Sequence, residues 1–585
     1  MILLTNHLGY DSKGTKRAVY QGSEEDNAGL FEVVDCSKKI VFSGKANFCG
    51  EVAGWKTGCY WTLDFGSLEG SGSYYIRLNT ATGTVESAVF EIQDNLITMR
   101  MINAAGYYFK AQRSSGEWLA ADRKLHFLGE KEGSVDAHGG WYDATGDYGI
   151  HISHLSHGSI HNPQQAAFSA YAFFKSVEWL EESDNTQYSM IKRRMLDEGS
   201  FGADFIMRMR APSGSFYRSI NRANALQHVR GTRGIGFEYR GSSSQFSEKA
   251  ATADEEIIRD ENYEVSLRSG GGLCIAALAV ASRHYYPGRD YTSEEYLLAA
   301  KDAWHYLSAE NSRYTNDGNW NLLDEYCALL ALTELYRASG EYEYLEHAGE
   351  MAIKIQNRME SLGAGMAWFT AKEEEPFYHA SDEGMPIIAL LEYAKIEPDQ
   401  KAGEVAIKAA EECMRYKLTL TNGVNNPFGY ARFVHRAQDG SRKEKFFFPH
   451  DTAVAPWWQG DNARIASLSS AARQMSYVTK DTELAAELTE FADNQLNWIM
   501  GMNPFDSCMI EGYGRNNIQY FFNKRYDFMN CPGGICNGIT GGLHDEDGIA
   551  FIMEPNEEIQ DNWRWAEQWL PHISWFICAQ ALKRR

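Results

Sequence analysis

Leu322-Leu323-Asp324-Glu325-Tyr326-Cys327-Ala328-Leu329-Leu330-Ala331-Leu332-Thr333-Glu334-Leu335 carries its large apolar residues on a helical period. Leu322, Tyr326, Leu329, Leu330, Leu332 and Leu335 fall mainly at spacings of three and four, which line up on one helix side. Ala463, Ile465, Leu468, Ala471 and Ala472 repeat the pattern. From Leu96 onward twelve such segments can be marked, near 97–112, 163–182, 192–211, 266–284, 293–308, 322–339, 342–358, 384–395, 401–416, 460–478, 481–500 and 566–583. Twelve amphipathic helices predict six helical hairpins, which can close into an α/α barrel. Long loops rich in glycine, aromatics and charge separate them, over 113–162, 212–265, 359–383, 417–459 and 501–565. Long loops on a rigid scaffold are where function concentrates.

The first 95 residues read differently. Leu30-Phe31-Glu32-Val33-Val34 and Ser73-Tyr74-Tyr75-Ile76-Arg77-Leu78 are short alternating runs between glycine-rich and polar turns. They predict a small β-sandwich, with Ala88-Val89-Phe90-Glu91-Ile92 as its last strand. The expected organisation is a sandwich over 1–95 and a mainly α catalytic domain over 96–585.

The chain has 585 residues, 44% of them hydrophobic, which suffices for a large core. Its net charge of −23 argues against nucleic acid and anionic membrane surfaces as partners, and favours a cationic ligand such as an amino sugar. No run of 18 apolar residues is present, so no membrane span is expected. Met1-Ile2-Leu3-Leu4 is too short for a signal peptide and Asn6 and His7 follow, so a cytoplasmic location is expected. The ten cysteines are scattered. Cys531 and Cys536 lie close but lack a second cluster, and Cys274, Cys327 and Cys578 read as buried thiols.

The chemistry concentrates in Gly139-Gly140-Trp141-Tyr142-Asp143-Ala144-Thr145-Gly146-Asp147-Tyr148-Gly149. Two carboxylates four residues apart can hold and activate a water, aromatic rings offer faces to a sugar, and glycines admit close approach. The pattern points to glycoside hydrolysis.

The same stretch resembles the Gly-Gly-Trp-Tyr-Asp-Ala-Gly-Asp-Tyr-Gly signature of glycoside hydrolase family 9. Asn6-His7-Leu8-Gly9-Tyr10 looks like the start of that family's sandwich, and Met101 to Arg113 like its first barrel helix. Trp498-Ile499-Met500-Gly501-Met502-Asn503-Pro504 and Glu511-Gly512-Tyr513-Gly514 resemble two further family elements. The resemblance implies an (α/α)6 barrel preceded by an immunoglobulin-like β-sandwich. It also implies an inverting reaction without cofactor or metal. The chain departs from the family's cellulases at three places. Thr145 lengthens the spacing of the aspartates. Arg515-Asn516-Asn517-Ile518-Gln519-Tyr520 stands where cellulases carry a Pro-x-x-His-His-Arg sugar contact. The C-terminal acid segment is also altered. These departures fit the family's exo-β-D-glucosaminidase branch, acting on short chito-oligosaccharides. Exo-cleavage of cello-oligosaccharides and non-catalytic sugar binding are the other readings.

By the same resemblance Asp147 is the general base and Asp143 its auxiliary. The general acid is expected among Glu554, Glu557, Glu558 and Glu567, with Glu558 the choice because an apolar residue follows it. Trp563, Trp565 and Trp569 can supply the apolar pocket that keeps an acid protonated. Trp141, Tyr142, His151, His450, Trp458 and Tyr513 are the expected sugar contacts. His151, His154 and His157 have a spacing that could suit a metal, but inverting glycosidases need none. His544-Asp545-Glu546-Asp547-Gly548 lacks full calcium-loop spacing and reads as a solvated turn.

Overall fold

The computed structural model describes residues 1–129, 131–145, 164–182, 188–222, 233–237, 259–315, 317–372, 374–450, 458–528 and 530–583. Nine strands build the N-terminal sandwich: β1 (Ile2–Leu4), β2 (Arg17–Gly22), β3 (Leu30–Asp35), β4 (Ile40–Lys45), β5 (Asn47–Glu51), β6 (Cys59–Asp64), β7 (Gly72–Thr80), β8 (Gly83–Glu86) and β9 (Phe90–Ile92). One antiparallel sheet has the order β1-β2-β6-β5; the other has β4-β3-β7-β8, with β9 added to β7. Alternation sends Tyr20, Phe31, Val33, Leu63, Ile76 and Leu78 between the sheets. The opposite side chains of the first sheet, Leu4, Val19 and Tyr60, join the core of the helical domain.

Twelve long helices follow among the described residues. They are α1 (Leu96–Gln112), α2 (Ala166–Glu182), α3 (Ser189–Arg208), α4 (Gly272–Arg283), α5 (Ser293–Glu310), α6 (Leu322–Ser339), α7 (Tyr342–Asn357), α8 (Met385–Ala394), α9 (Gln400–Asn422), α10 (Asn462–Val478), α11 (Thr482–Ile499) and α12 (Leu570–Leu582). The even-numbered helices touch in the order α2-α4-α6-α8-α10-α12 and close back on α2. The odd-numbered helices pack outside this ring, so the architecture is an (α/α)6 barrel.

The two rings differ in sequence for a physical reason. Every residue of α12 is buried, as an inner helix requires. The outer α9 buries only a stripe through Ala406, Ala409, Ala410, Cys413 and Met414 and leaves its remaining polar face in water. Helix α6 starts at Asn321, whose side chain accepts from the Leu323 and Asp324 N–H groups while Asp324 accepts from the Asn321 N–H. This reciprocal cap fixes where the helix begins.

The inner helices run parallel, so their ends gather at opposite mouths of the barrel. Towards their C-terminal ends, Lys175 of α2 lies 2.6 Å from Glu178, and 3.3 Å from both Glu334 of α6 and Glu392 of α8. Arg283 and Arg337 complete this buried ionic network. Nearby cations hold Glu334 and Glu392 below the usual carboxylate range, although burial alone would raise them. The loops that precede the inner helices collect at the other mouth.

The sandwich meets the barrel through three of the motifs noted in the sequence. Asn6 donates to Asn497, and the His7 N–H donates to the Met500 carbonyl. The His7 ring lies so close to Gly501 that a Cβ there would sit 2.5 Å from it, and Gly501 adopts φ +109°, where glycine alone is comfortable. Asp506 bridges His7, at 3.0 Å, and Arg515, at 2.7 Å.

Candidate active site

Asp143 is held from three directions. The Gln112 carbonyl, at the end of α1, accepts from the Tyr142 N–H. The Asp143 carbonyl accepts from the Leu570 N–H at 3.2 Å, and the Thr145 N–H donates to the Gln568 carbonyl at 2.8 Å. Ala144 thereby pairs antiparallel with Trp569, directly before α12. The Asp143 side chain is 5% exposed, and Trp569 Nε1 donates to its Oδ2 at 3.2 Å. Thr145 is part of this union: its hydroxyl donates to Gln568 Oε1 at 2.9 Å, and the Cys531 N–H donates to the same oxygen at 2.8 Å.

Glu567 occupies the residue before this paired segment. It is half-buried, its carbonyl accepts from the Asn537 N–H at 2.8 Å, and its Oε2 lies 3.5 Å from Asn537 Nδ2. The Tyr108 hydroxyl donates to the carbonyl of Gln568, the residue after Glu567, at 3.2 Å. Burial pushes the Tyr108 hydroxyl well above its ordinary range, and Cys531, Asp143 and Glu567 add to the effect in that order. Both carboxyls therefore lie within electrostatic reach of one phenol.

Glu558 is placed elsewhere. It is exposed and pairs with His544 at 2.9 Å, while Glu557 and Glu554 are exposed too. An exposed carboxyl lacks the apolar surroundings that keep an acid protonated at neutral pH. The apolar residue after Glu558, on which the choice rested, does not bury it. Asp147 and His151, with His154 and His157, lie outside the described residues.

Trp141, expected to face sugar, is 1% exposed. Its indole donates to Glu198 at 3.2 Å and its ring packs edge-on to Phe109, so it anchors the loop in the core. Tyr142 is likewise buried at 5% exposure. His450 and Trp458 are half-buried and stack at 3.7 Å, and the Arg564 guanidinium lies 4.2 Å from the Trp458 ring. Burial, the largest cause, lowers the pKa of both His450 and Arg564, the latter to about 10. Tyr513 is half-buried and accepts from Asn517 through its carbonyl, in the loop that leads to Arg515. The sequence reading missed Asn537, Gln568 and Gln165. Trp569 Nε1 also donates to Gln165 Oε1 at 3.1 Å. No spacing marks these amides; only the folded pairing of distant loops reveals them.

Residues 100–532 match the model of glycosyl hydrolase family 9, and residues 3–83 that of the cellulase N-terminal ig-like domain. The chain belongs to glycosyl hydrolase family 9.

Its fold is shared with solved family 9 structures. A Bacteroides ovatus GH9 protein aligns with TM-score 0.66 and 17% identity, covering 100% of this chain and 98% of its own. A metagenome-derived family 9 endoglucanase gives 0.64 and 17%, covering 99% and 98%. AaCel9A in complex with cellobiose-like isofagomine gives 0.58 and 15%, covering the whole of both chains. No curated protein sequence matches the chain. Membership of family 9 makes the protein an inverting glycoside hydrolase. Such an enzyme needs one carboxylate to activate water and one carboxylic acid to protonate the leaving oxygen, on opposite sides of the bond cut.

Proposed function

We propose that Asp147 is the general base, Asp143 its water-holding auxiliary and Glu567 the general acid. The observation that carries the assignment is the pairing of Asp143, Ala144 and Thr145 with Gln568, Trp569 and Leu570. It brings Glu567 to the water-activating loop, and the shared influence on Tyr108 supports the same reading. Room for water between base and acid requires a separation of about 6.5–9.5 Å.

The substrate in this reading is a short glucosamine-containing oligosaccharide, cut from its non-reducing end. Three features support it: the acidic charge of the chain, the inserted Thr145, and the use of Arg515. Arg515 follows Gly512-Tyr513-Gly514 but is spent on Asp506 at the joint with the sandwich, while Asn516 donates to the Asp506 carbonyl. The segment that serves sugar in cellulases is thus committed to structure here. A second reading, β-glucan or cello-oligosaccharide cleavage, is favoured by the endoglucanases among the structural neighbours.

Nitrophenyl β-glucosaminide, β-N-acetylglucosaminide and β-glucoside separate the readings, with product anomers followed by NMR. Preferential release from the glucosaminide, with inversion, is expected. Release from the glucoside alone overturns the amino-sugar assignment, and release from none favours a sugar-binding protein.

A further inference from the structure

Asn537 is fully buried, and each end of its amide has defined partners. Nδ2 donates to the Trp563 carbonyl at 2.8 Å, which can only accept. Oδ1 therefore faces His572 Nε2, at 2.8 Å, and Gln459 Nε2, at 3.3 Å, and both donate to it. The amide cannot turn over without setting donor against donor on one side and acceptor against acceptor on the other. Burial lowers the His572 pKa to about 3, so the ring is neutral, and because it faces an amide oxygen its proton sits on Nε2. With one Nδ2 hydrogen on Trp563, the other is left for Glu567 Oε2, 3.5 Å away. The Asn537 N–H fixes the Glu567 main chain through its own bond.

We infer that Asn537 is a positioning residue for Glu567, holding one carboxylate oxygen by an amide hydrogen that His572, Gln459 and Trp563 keep pointed at it. The inference rests on Glu567 being the acid. A donor aimed at a carboxyl favours its ionised form, so it supports the acid once its proton has left for the sugar oxygen. It also sets the pH above which the acid is already empty. Other groups bear on the same carboxyl. Tyr108 lies within electrostatic reach of both Glu567 and Asp143, Cys531 acts on the same phenol, and Arg564 lies on the same segment as Glu567. None of them changes when Asn537 is replaced.

The test is the pH dependence of kcat for Asn537→Ser and Asn537→Asp beside the wild type. An inverting enzyme loses activity as pH rises through the pKa of its acid. Removing the donor moves that basic limb upward by about one pH unit in Asn537→Ser, the scale of one hydrogen bond to a charged group. Asn537→Asp, close in size to the native side chain, moves it further because a second carboxylate opposes ionisation. A lowered rate with an unmoved basic limb in both variants overturns the inference, because a merely structural residue changes rate without changing this pKa. Glu567→Gln separates the two levels of the argument. If it loses the basic limb, Glu567 is the acid and the Asn537 result stands as read. If the limb persists, another carboxyl is the acid and the inference falls with that assignment.

Discussion

Trp569 shares one indole N–H between Asp143, at 3.2 Å, and Gln165, at 3.1 Å. Trp569 is the last residue before α12 and Gln165 the last before α2, and these two inner helices are neighbours in the ring. The Asp143 carboxylate is therefore oriented by the barrel as well as by its own loop. Trp569→Phe keeps the ring and removes the donor. It is expected to lower kcat by about ten- to a hundredfold, the range set by one hydrogen bond to a charged acceptor. Steady-state kinetics beside a thermal melt check this; an unchanged kcat in a folded variant removes Trp569 from the site.

Thr145 joins the Asp143 loop to the segment that precedes α12 through both its backbone and its hydroxyl. Thr145→Val keeps the shape and the backbone bond but leaves Gln568 Oε1 with only the Cys531 N–H. A loss of about 1 kcal/mol in unfolding free energy is expected, with reduced kcat/KM. Urea titration and kinetics on the same preparation measure both. Stability and rate equal to the wild type would show that this contact is idle.

His572 makes the protein sensitive to mild acid. Its folded pKa, about 3, lies below the unfolded value of 6.5. Below pH 6.5 the unfolded chain takes a proton that the folded one refuses, so stability is complete above 6.5 and declines as pH falls towards 3. Between pH 6.5 and 5 the contribution is about 2 kcal/mol. Urea unfolding of wild type and His572→Gln at the two pH values checks it. The wild type should lose more stability than the variant; equal losses contradict the buried neutral histidine.

The barrel was legible because inner and outer helices need different apolar patterns. The polar face of α9 follows from one-sided burial, whereas Leu322–Leu335 is buried on every side, its acids Asp324, Glu325 and Glu334 included. The sandwich was legible from alternation, as in β7. The proposed acid was not legible. Four glutamates share one C-terminal stretch; Glu554, Glu557 and Glu558 have mainly polar neighbours, while Glu567 is flanked by Trp565, Ala566 and Trp569. In the fold Glu567 is set apart from the exposed Glu558 by Asn537 beside its side chain and by the pairing of the next residues, Gln568 to Leu570, with the Asp143 loop. Trp141 misled for a related reason. An aromatic in a sugar-cleaving motif looks like a platform, yet its indole is used by Glu198, which also pairs with Arg113.

The ionic network at the C-terminal ends of the inner helices should govern stability without touching chemistry. Lys175→Met leaves Glu334 and Glu392 buried with one cation fewer. Breaking a buried pair in this way costs about 3–5 kcal/mol. Denaturant unfolding should show a loss on that scale, while KM at a temperature where the variant is folded stays unchanged. A stability near the wild type would mean that Arg283, Arg337 and Lys395, which pairs with Glu392, suffice.

The central claim is that Glu567, directly before the segment that pairs with the Asp143 loop, gives the proton. The most direct measurement compares kcat of Glu567→Gln and Glu558→Gln on an unactivated β-linked oligosaccharide that the wild type cleaves. Loss of a general acid costs about 10²–10⁴-fold, so the account predicts that loss for Glu567→Gln and near-normal turnover for Glu558→Gln. A collapse in Glu558→Gln with activity kept in Glu567→Gln would contradict it.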